Sequence, residues 1–592
     1  MKKYILSILS GILFVSCVDT NITPYGQTTE EDYWQTKAQV AQVVTEAYKA
    51  MASVDIVNRL IVWGSFRSDE LMLTSEVPAT NGNRQALSEI KTANIETTNT
   101  FSNWGVFYSV INYCNLVIDM STQTIDRDPA YTTSDNKLDI AQMKTLRALC
   151  YFYLVRAFRD VPYITQCYNK SSQEMAIPQT PPAQVLQACI NDLEEAAVDI
   201  YDAQNFALNN WRSRGYLNRD AVYALLADIY LWRASVTMGS NPTQAYNDYA
   251  KVVEYADKVI ESKNEYHKST IRPGQTQDEE NLYPTLSSIE NWFQDIFVDQ
   301  NSEESIFELE FSANNTALIN SYYSYAGLNY SYGLMQAPSL FGSIGNSNDL
   351  YVFIQAYDTR RKSIYYNSSS SDESYNIAKM ISETVNTSGD PSSYNKLREG
   401  GLSSFLHNWI VYRMTDVMLM KAEALTEIAD HESSEEKLQE AFSLVKAVND
   451  RALYEGSGVK HLDFSNYNTI EGMESLVMAE RLRELCFEGK RWFDLLRMNY
   501  RNNAKQGVNT NYDAILADQE VQIENNANML NMMARTSEAS NAVISKMKTE
   551  PYLYMPIADS EMKLNSALKQ NPAYSSSNQF ERNSNENTEA NN

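Results

Sequence analysis

Two glutamates stand four residues apart in the stretch ERLRELCFEGKRWFDLLRMNY, residues 480–500. Paired carboxylates such as Glu484 and Glu488 act as general acid and general base when a fold holds them at a suitable distance. They can equally form the charged edge of a buried helix. Which interpretation holds decides whether this stretch has the means for catalysis.

The residues around the pair favour the structural interpretation. A catalytic acid tends to need isolation from cations to raise its pKa, whereas Glu488 stands near Arg483, Lys490 and Arg491 and is expected to stay ionised. Opposite charges three residues apart predict local pairing in Arg481–Glu484, Glu488–Arg491 and Asp494–Arg497. One continuous helical face is predicted by Leu482, Leu485, Cys486, Trp492 or Phe493, and Leu496. We therefore predict that the glutamates neutralise arginines at a packed helix junction.

Other catalytic signatures do not occur in the sequence. It has no H-E-x-x-H motif, G-x-S-x-G elbow, phosphate-binding loop or dinucleotide fingerprint, and its four histidines stand apart from other metal ligands. We predict that the chain is not an enzyme, and we assign it no catalytic residue, cofactor or metal ligand. A glycosidase needs only two carboxylates about 5–10 Å apart. Because the chain has 75 acidic residues, some such pair is expected by chance, and a surface-anchored glycosidase stays an alternative.

The composition limits the possible partners. A formal net charge of −26 argues against nucleic acid and against an anionic membrane surface. Tyrosine is frequent, with 39 residues against 19 Phe and 8 Trp. A tyrosine ring joins a flat apolar face to one polar group, which suits amphipathic ligands as well as helix–helix contacts. The composition therefore indicates neutral or weakly charged partners.

The N-terminus predicts export and a lipid anchor. Lys2 and Lys3 precede the apolar stretch 5–15, which is too short to span a bilayer. Ser16-Cys17 follows without an ordinary secretory cleavage site, so that the segment resembles a bacterial lipoprotein signal. We predict a signal peptide at 1–16, lipidation of Cys17 and a linker to residue 30. A plain signal peptide beside an odd free cysteine is the alternative. The five other cysteines have no regular spacing and are predicted to be small core residues.

Most of the chain is predicted to be α-helical. Apolar residues recur at i, i+3, i+4 and i+7 over 104–120 and 143–158, and a proline follows the second helix at Pro162. Segments 217–235 and 246–262 predict a helical hairpin because glycine, asparagine and proline stand between them. Small residues recur where these two helices must approach. They resemble tetratricopeptide-type packing, so one solenoid-like scaffold is expected.

This scaffold is predicted to form a single domain over 31–574. Its parts are a helical segment 31–264, a loop-rich insertion 265–405, a helical segment 406–500 and a C-terminal part 501–574. Within the insertion, SIFELEF at 305–311 predicts a strand, because large apolar side chains alternate with other positions. The polar residues 575–592 are predicted to be a disordered tail.

Several stretches share the patterns of one bacterial family. Residues 480–497 are close to E-R-x-x-E-L-x-F-E-G-x-R-x-F-D-L-x-R. Residues 146–164 are similar to R-A-x-x-Y-F-x-L-x-x-x-F-G-D-V-P, with Arg159 in place of the glycine. Residues 552–574 are similar to a closing Y-L-P-I-P-x-x-E-x-x-x-N-x-x-L-x-Q-N-P-x-Y, and Cys17 supplies a lipoprotein start. On these motifs the chain resembles the SusD/RagB family of outer-membrane nutrient-binding lipoproteins.

The resemblance implies a mostly α, tetratricopeptide-like helical scaffold with a loop-rich irregular half and a few short strands. It also implies a lipid-anchored protein of the outer membrane that faces the cell exterior and lies as a lid over a SusC-like TonB-dependent transporter. Such proteins capture oligosaccharides or polysaccharides without hydrolysing them, and the RagB branch captures peptides. A peptide-binding member and a structural partner of the transporter without a ligand site of its own remain alternatives.

The ligand-binding residues are expected in loops that no motif marks. A sugar platform needs exposed aromatic rings with hydrogen-bonding side chains beside them. Trp104 and Trp232 lie on helical faces and are predicted to be core residues. The candidate ligand-binding residues are Trp63, Arg67, Asp69, Trp292, Tyr322, Tyr323, Tyr325, Tyr330 and Tyr332.

Overall fold

A computed structural model describes the chain over residues 33–74, 81–169, 176–206, 210–270, 281–311, 334–341, 352–353, 357–366, 375–377, 379, 382–384, 396–397, 407–454, 459–519 and 541–575. The predicted signal peptide 1–16, Cys17 with its linker, and all but the first residue of the predicted tail 575–592 lie outside these residues.

Helices dominate the described residues, and the predicted mostly α, tetratricopeptide-like scaffold is confirmed. The helices are α1 (Lys37–Met51), α2 (Val54–Ile61), α3 (Gly82–Lys91), α4 (Gly105–Met120), α5 (Thr133–Phe158), α6 (Pro182–Asp199), α7 (Arg212–Gly215), α8 (Arg219–Thr237), α9 (Pro242–Thr270), α10 (Met414–Glu432), α11 (Glu435–Arg451), α12 (Ile470–Leu485), α13 (Arg491–Lys505), α14 (Asn541–Lys546) and α15 (Asp559–Leu564).

The strands are short and pair two by two. The described strands are β1 (Met72–Leu73), β2 (Ser305–Leu309), β3 (Met335–Gln336), β4 (Ile364–Tyr366), β5 (Tyr375–Ile377), β6 (Ser382–Thr384), β7 (Lys396–Leu397) and β8 (Trp409–Arg413). They form the antiparallel pairs β1–β3, β2–β8, β4–β5 and β6–β7. The strand predicted at 305–311 is confirmed as β2, which joins the start of the loop-rich part to the strand that leads into α10.

Local signals explain where the long helices begin and end. Thr36 and Thr132 each close a capping box at the start of α1 and α5, which satisfies backbone N–H groups that have no partner within the helix. Helix α5 ends at Phe158, close to where Pro162 predicted its end. The next residue, Arg159, has φ +69°, a conformation that favours glycine. Its guanidinium is held by Asp160 at 2.7 Å and Glu550 at 3.1 Å.

Consecutive helices pack as hairpins, and the hairpins pack on one another. The contacting pairs include α5–α6, α8–α9 and α10–α11, with α9–α10 and α10–α12 joining successive pairs. Only Ser433 and Ser434 separate α10 from α11, so these two helices must run antiparallel. Trp104 and Trp232 are buried as predicted, and so are the five cysteines in the described residues, all of which are free.

The signature stretch forms two helices rather than the single helical face that we predicted over 482–496. Helix α12 ends at Leu485 and α13 begins at Arg491. Between them Phe487 has φ +66° and Gly489 has φ +74°. A Cβ on Gly64 would overlap the carbonyl group of Gly489, so the two backbones touch where only glycine leaves room. This close approach fixes the turn between α12 and α13.

Candidate functional site

The signature glutamates lie inside the protein, where they bind Arg413 from β8. Glu488 accepts from Nε and Nη2 of Arg413 at 2.9 Å each, a bidentate pair. Glu484 accepts from Nη1 at 2.6 Å, and Glu304 accepts from the same nitrogen at 2.8 Å. All four side chains are buried. One arginine therefore joins α12, the following turn and the residue before β2.

Further cations complete this buried network. Arg360 binds Asp358 through two hydrogen bonds of 2.9 and 2.7 Å and also contacts Glu480 and Glu484. Arg451 contacts Glu304 and Glu484, and Lys379 lies 2.6 Å from Glu488. Burial alone would raise the pKa of Glu484 and of Glu488, but the surrounding cations outweigh it and lower both values. The pair stays ionised, as predicted, and is unsuited to act as a general acid.

The partners of these charges differ from the local pairs that we predicted. Only Asp494–Arg497 forms as expected, at 2.7 Å. The predicted pairs Arg481–Glu484 and Glu488–Arg491 are wrong, because partners from distant parts of the chain bind these side chains instead. Arg481 instead binds Asp416 at 3.0 Å, and Arg491 binds Asp69.

Three predicted ligand residues lie in the core. The stretch predicted as a loop continues α2 through a π-helical turn, Val62–Phe66. Trp63 is 1% exposed, stacks on Phe107 and donates its indole N–H to a backbone carbonyl. Asp69 binds Arg491 at 2.8 and 3.0 Å. The guanidinium of Arg67 lies 4.5 Å from the Trp492 ring. As placed, these side chains have no free surface for a ligand.

The other predicted ligand residues divide into one buried residue and five that cannot be placed. Trp292 is fully buried among phenylalanines and donates to Thr359 Oγ1 at 2.9 Å. The Arg451 guanidinium of α11 lies 5.4 Å from its ring, so Trp292 joins the loop-rich part to the scaffold and does not lie on the surface as expected. The five tyrosines Tyr322, Tyr323, Tyr325, Tyr330 and Tyr332 lie outside the described residues.

The buried carboxyl group of Glu70 should make the stability of the fold depend on pH in the neutral to alkaline range. Burial raises its pKa to about 8, against the opposing effect of hydrogen bonds from Ser65 and the Phe487 N–H. Because this pKa lies above the ordinary value of 4.5, the folded state binds the proton more tightly than the unfolded state does between about pH 4.5 and pH 8. The free energy of unfolding should therefore fall as pH rises through this window.

We expect Glu70→Gln to reduce that fall, because glutamine resembles the protonated acid. Urea unfolding should show the variant more stable than the wild type by about 2 kcal/mol at pH 9 and similar to it at pH 5. Glu265→Gln, at an exposed position of α9, is the matched control and should change neither value. Parallel pH profiles for Glu70→Gln and the wild type would refute this role.

An open cleft lies between α4 and the C-terminal segment. One wall is the polar face of α4, which binds the backbone of residues 162–168. Asn112 both accepts from the Tyr168 N–H at 2.7 Å and donates to its carbonyl at 3.2 Å. Asn115 donates to the carbonyls of Ile164 and Gln166, and Tyr108 donates to that of Pro162. Because these residues recur at helical spacing, one face of α4 holds the whole loop.

The opposite wall of the cleft is α15 with the residues that follow it. Glu561 accepts a hydrogen bond from Trp104 at the start of α4, while burial raises its pKa. Leu564, 77% exposed, and the buried Leu568 supply apolar surface, and Asn565 is fixed by the Ile177 carbonyl at 2.6 Å. The cleft has a volume of about 340 Å³, within the usual range for small-ligand sites.

A second, more polar hollow of about 660 Å³ lies on the other side of α15. Arg59 shapes its floor by donating to the carbonyls of Thr100 and Asn103 at 2.8 Å each. Asp559, Ser560 and Lys563 from the C-terminal segment complete it. Helix α15 thus separates an aromatic and amide-lined cleft from a hydroxyl-rich and charged hollow.

The sequence did not indicate this cleft in advance. Its walls come from residues 104–168 and 561–568, which no local pattern connects. The closing motif gave the only signal, because it contains Glu561, Asn565 and Leu568. A helical stripe of Tyr108 and Asn112 was hidden within an otherwise apolar helix.

The comparisons with known proteins agree on one family. The model of the SusD family matches residues 319–574. SusD-like protein P2 of Formosa agariphila is 25% identical over 85% of this chain and 92% of its own length. SusD-like protein P38 of the same organism is 23% identical over 84% of this chain and 90% of its own.

Solved structures show the same fold. A SusD superfamily protein of Bacteroides fragilis matches with a TM-score of 0.62 and 16% identity, over 92% of this chain and all of that one. A protein of Bacteroides vulgatus described as a putative sugar binding protein matches with a TM-score of 0.58 and 18% identity, over 91% of this chain and 99% of that one.

The chain is thus similar to SusD-like proteins over most of its length. This similarity supports a surface glycan-binding role in general terms, and proteins of the SusD family are generally non-catalytic binding proteins. They are typically associated with the cell surface and with SusC-like transporters. Within the described ranges, none of the helices combines the length and apolar character needed to cross a membrane. The same residues contain no group of three or more side chains suited to hold a metal ion.

Proposed function

We propose that the chain captures oligosaccharide or polysaccharide in the cleft between α4 and α15 and delivers it to a SusC-like TonB-dependent transporter. A lipidated Cys17 would hold it on the outer membrane, facing the cell exterior. The five tyrosines between 322 and 332 are proposed as further ligand contacts. The observation that carries the proposal is the cleft itself, which brings aromatic and amide side chains together from α4, the loop 162–168 and the C-terminal segment.

The lining of the cleft suits a sugar ring. Pyranose rings present an apolar face to aromatic side chains and hydroxyl groups to amides and carboxylates. Tyr108 and Tyr168 supply aromatic surface, while Asn112, Asn565 and Glu561 supply hydrogen-bonding groups. Because Asn112 and Asn115 hold the loop 162–168, the site is formed before ligand arrives, which reduces the entropy lost on binding.

We expect Tyr168→Ala and Leu564→Ala each to weaken glycan binding by about tenfold, because each removes apolar contact from a wall of the cleft. Affinity electrophoresis on a polysaccharide panel followed by titration calorimetry measures this change. Tyr113→Ala is the matched control, since Tyr113 is an exposed tyrosine of α4 that does not line the cleft. Equal binding by all three variants would place the ligand elsewhere.

The same panel separates the alternatives. Retention by a peptide library with no binding to any glycan would favour a RagB-like peptide-binding protein. Release of reducing sugar that an acid-to-amide change abolishes would favour a glycosidase and refute a binding-only role. A chain that co-purifies with a SusC-like transporter but binds neither ligand class would be a structural partner.

A further inference from the structure

Trp211 differs from every other tryptophan of the chain in its exposure. All eight tryptophans lie within the described residues, and seven are 2% exposed or less, whereas Trp211 is 46% exposed. Leaving so large an apolar ring in water forfeits stabilisation that burial would give. Tryptophan is also enriched among the residues that dominate the binding energy of interfaces. The sequence-based candidates did not include it.

Contacts with neighbouring residues hold the indole ring of Trp211 in place. Trp211 immediately precedes α7, whose Gly215 N–H donates to the Trp211 carbonyl at 2.7 Å. Its indole stacks on Tyr216 with ring centroids 5.5 Å apart and planes at 27°. Tyr216 meets Tyr48 of α1 edge to face at 5.1 Å. One face of the indole is therefore supported by the scaffold, and the ring keeps an outward surface at little cost in conformational freedom.

A carboxyl group converges on the same point. A Cβ on Gly215 would lie 2.5 Å from Cγ of Glu310 and 2.9 Å from Cε3 of Trp211, so the two side chains meet over this glycine. Glu310 is partly exposed, but its Oε1 is buried and has no hydrogen-bond partner in the parts of the chain that the structure describes. Burial raises the pKa of Glu310 to about 7, against the opposing effect of the Asn301 and Asn408 amides.

We infer that Trp211 and Glu310 form a second glycan subsite, which takes the face of a neutral sugar ring; this inference rests on the proposed function. The ring stacks on the outward surface of the indole, and a rotation of the Glu310 carboxyl lets a sugar hydroxyl become the missing partner of Oε1. A neutral sugar fits the site, because Glu310 and Arg212, whose guanidinium lies 5.5 Å from the Trp211 ring, place charges of both signs beside it.

This subsite is separate from the cleft between α4 and α15, since neither Trp211 nor Glu310 lines it. Two subsites on one chain allow a long polysaccharide to bind at both, which strengthens attachment without any change in either contact. A short oligosaccharide can occupy only one subsite at a time. Loss of Trp211 should consequently matter more for long ligands than for short ones.

The test uses the full-length protein and two readouts. We expect Trp211→Ala to weaken polysaccharide binding by about tenfold in affinity electrophoresis, while binding of a short oligosaccharide that fills the cleft stays unchanged. Val198→Ala, which trims another exposed apolar side chain, is the control. Iodide quenching of fluorescence gives the second readout, because Trp211 alone among the eight is exposed to the ion.

Iodide should quench a fraction of the wild-type emission that saturating polysaccharide protects. Trp211→Phe should remove that fraction while keeping a ring on Tyr216, so it checks the assignment without disturbing the fold. If polysaccharide binds and cleft variants weaken it, but Trp211→Ala binds normally and quenching is unprotected, this subsite is refuted and the proposed function stands. If no glycan binds the wild type, the proposed function fails and the subsite with it.

Discussion

Replacing Arg413 with methionine is expected to lower the free energy of unfolding by about 3–5 kcal/mol. The change leaves Glu304, Glu484 and Glu488 buried without their shared guanidinium. Methionine fills much of the space of the arginine stem, so the loss measures the removal of one of the cations that hold these carboxylates more than it measures a cavity. Urea unfolding followed by circular dichroism at pH 7 gives the value.

An exposed ion pair provides the control for this prediction. Lys251 lies 2.8 Å from Glu254 on α9, with both side chains more than two-fifths exposed. Lys251→Met should change the stability by less than about 1 kcal/mol, because water screens such pairs. Equal stabilities for the two variants would show that the buried network does not hold the fold together.

The same network predicts loss of stability in acid. The cations around Glu484 and Glu488 hold their pKa values below the ordinary 4.5 in the folded state. Their contribution is therefore complete above about pH 4.5 and is lost as pH falls through the folded values. Asp416, whose pKa is lowered to about 2 by Lys490 and Arg481 against the effect of burial, extends this window downward. Arg413→Met should flatten the acid limb of the stability profile.

Gly64→Ala is expected to destabilise the protein by several kcal/mol, about the loss caused by breaking the network. The added methyl group would overlap the carbonyl of Gly489, which is backbone and cannot rotate away. Gly489 also donates its N–H to Ser65 Oγ at 2.9 Å, so the two turns cannot separate without losing this bond. Thermal unfolding should show a large fall in melting temperature.

Gly82→Ala is the matched control for the same substitution. Gly82 begins α3, and a Cβ there would meet no atom within 4 Å. Alanine should leave the stability unchanged or raise it by about 0.4–1 kcal/mol, since it reduces the entropy of the unfolded chain. A similar melting temperature for Gly64→Ala and Gly82→Ala would contradict the close approach of the two backbones.

The scaffold could be predicted from the sequence because its signals are local. The hairpin of α8 and α9 follows from apolar periodicity and a Gly- and Pro-containing turn. The break between α12 and α13 could not be predicted in the same way. It depends on a contact between Gly489 and Ser65, 424 residues apart, that no window of sequence contains. Charge pairing failed for the same reason, since the carboxylate partners of Arg413 come from two distant stretches of the chain.

The candidate binding residues were harder to predict, because the type of an aromatic residue does not tell whether its ring lies on the surface or in the core. Trp63 and Trp211 are the same side chain, yet one is buried and the other exposed. Their difference arises from which helix covers them, a property of the tertiary fold. The polar context NNWRSRG around Trp211 lacks an apolar period, which is the one signal that could have marked it.

The C-terminal segment supplies partners for residues near the N-terminus, so the fold can be completed only late in synthesis. Arg67 donates to the carbonyl of Leu553, which is 486 residues later in the chain. Arg159 donates to Glu550, which is 391 residues later. The α15 wall of the cleft emerges after both. Long-range contacts of this kind slow folding and leave an early chain with unmatched buried charge. A chain that stops before Glu550 therefore lacks both of these contacts and one wall of the cleft.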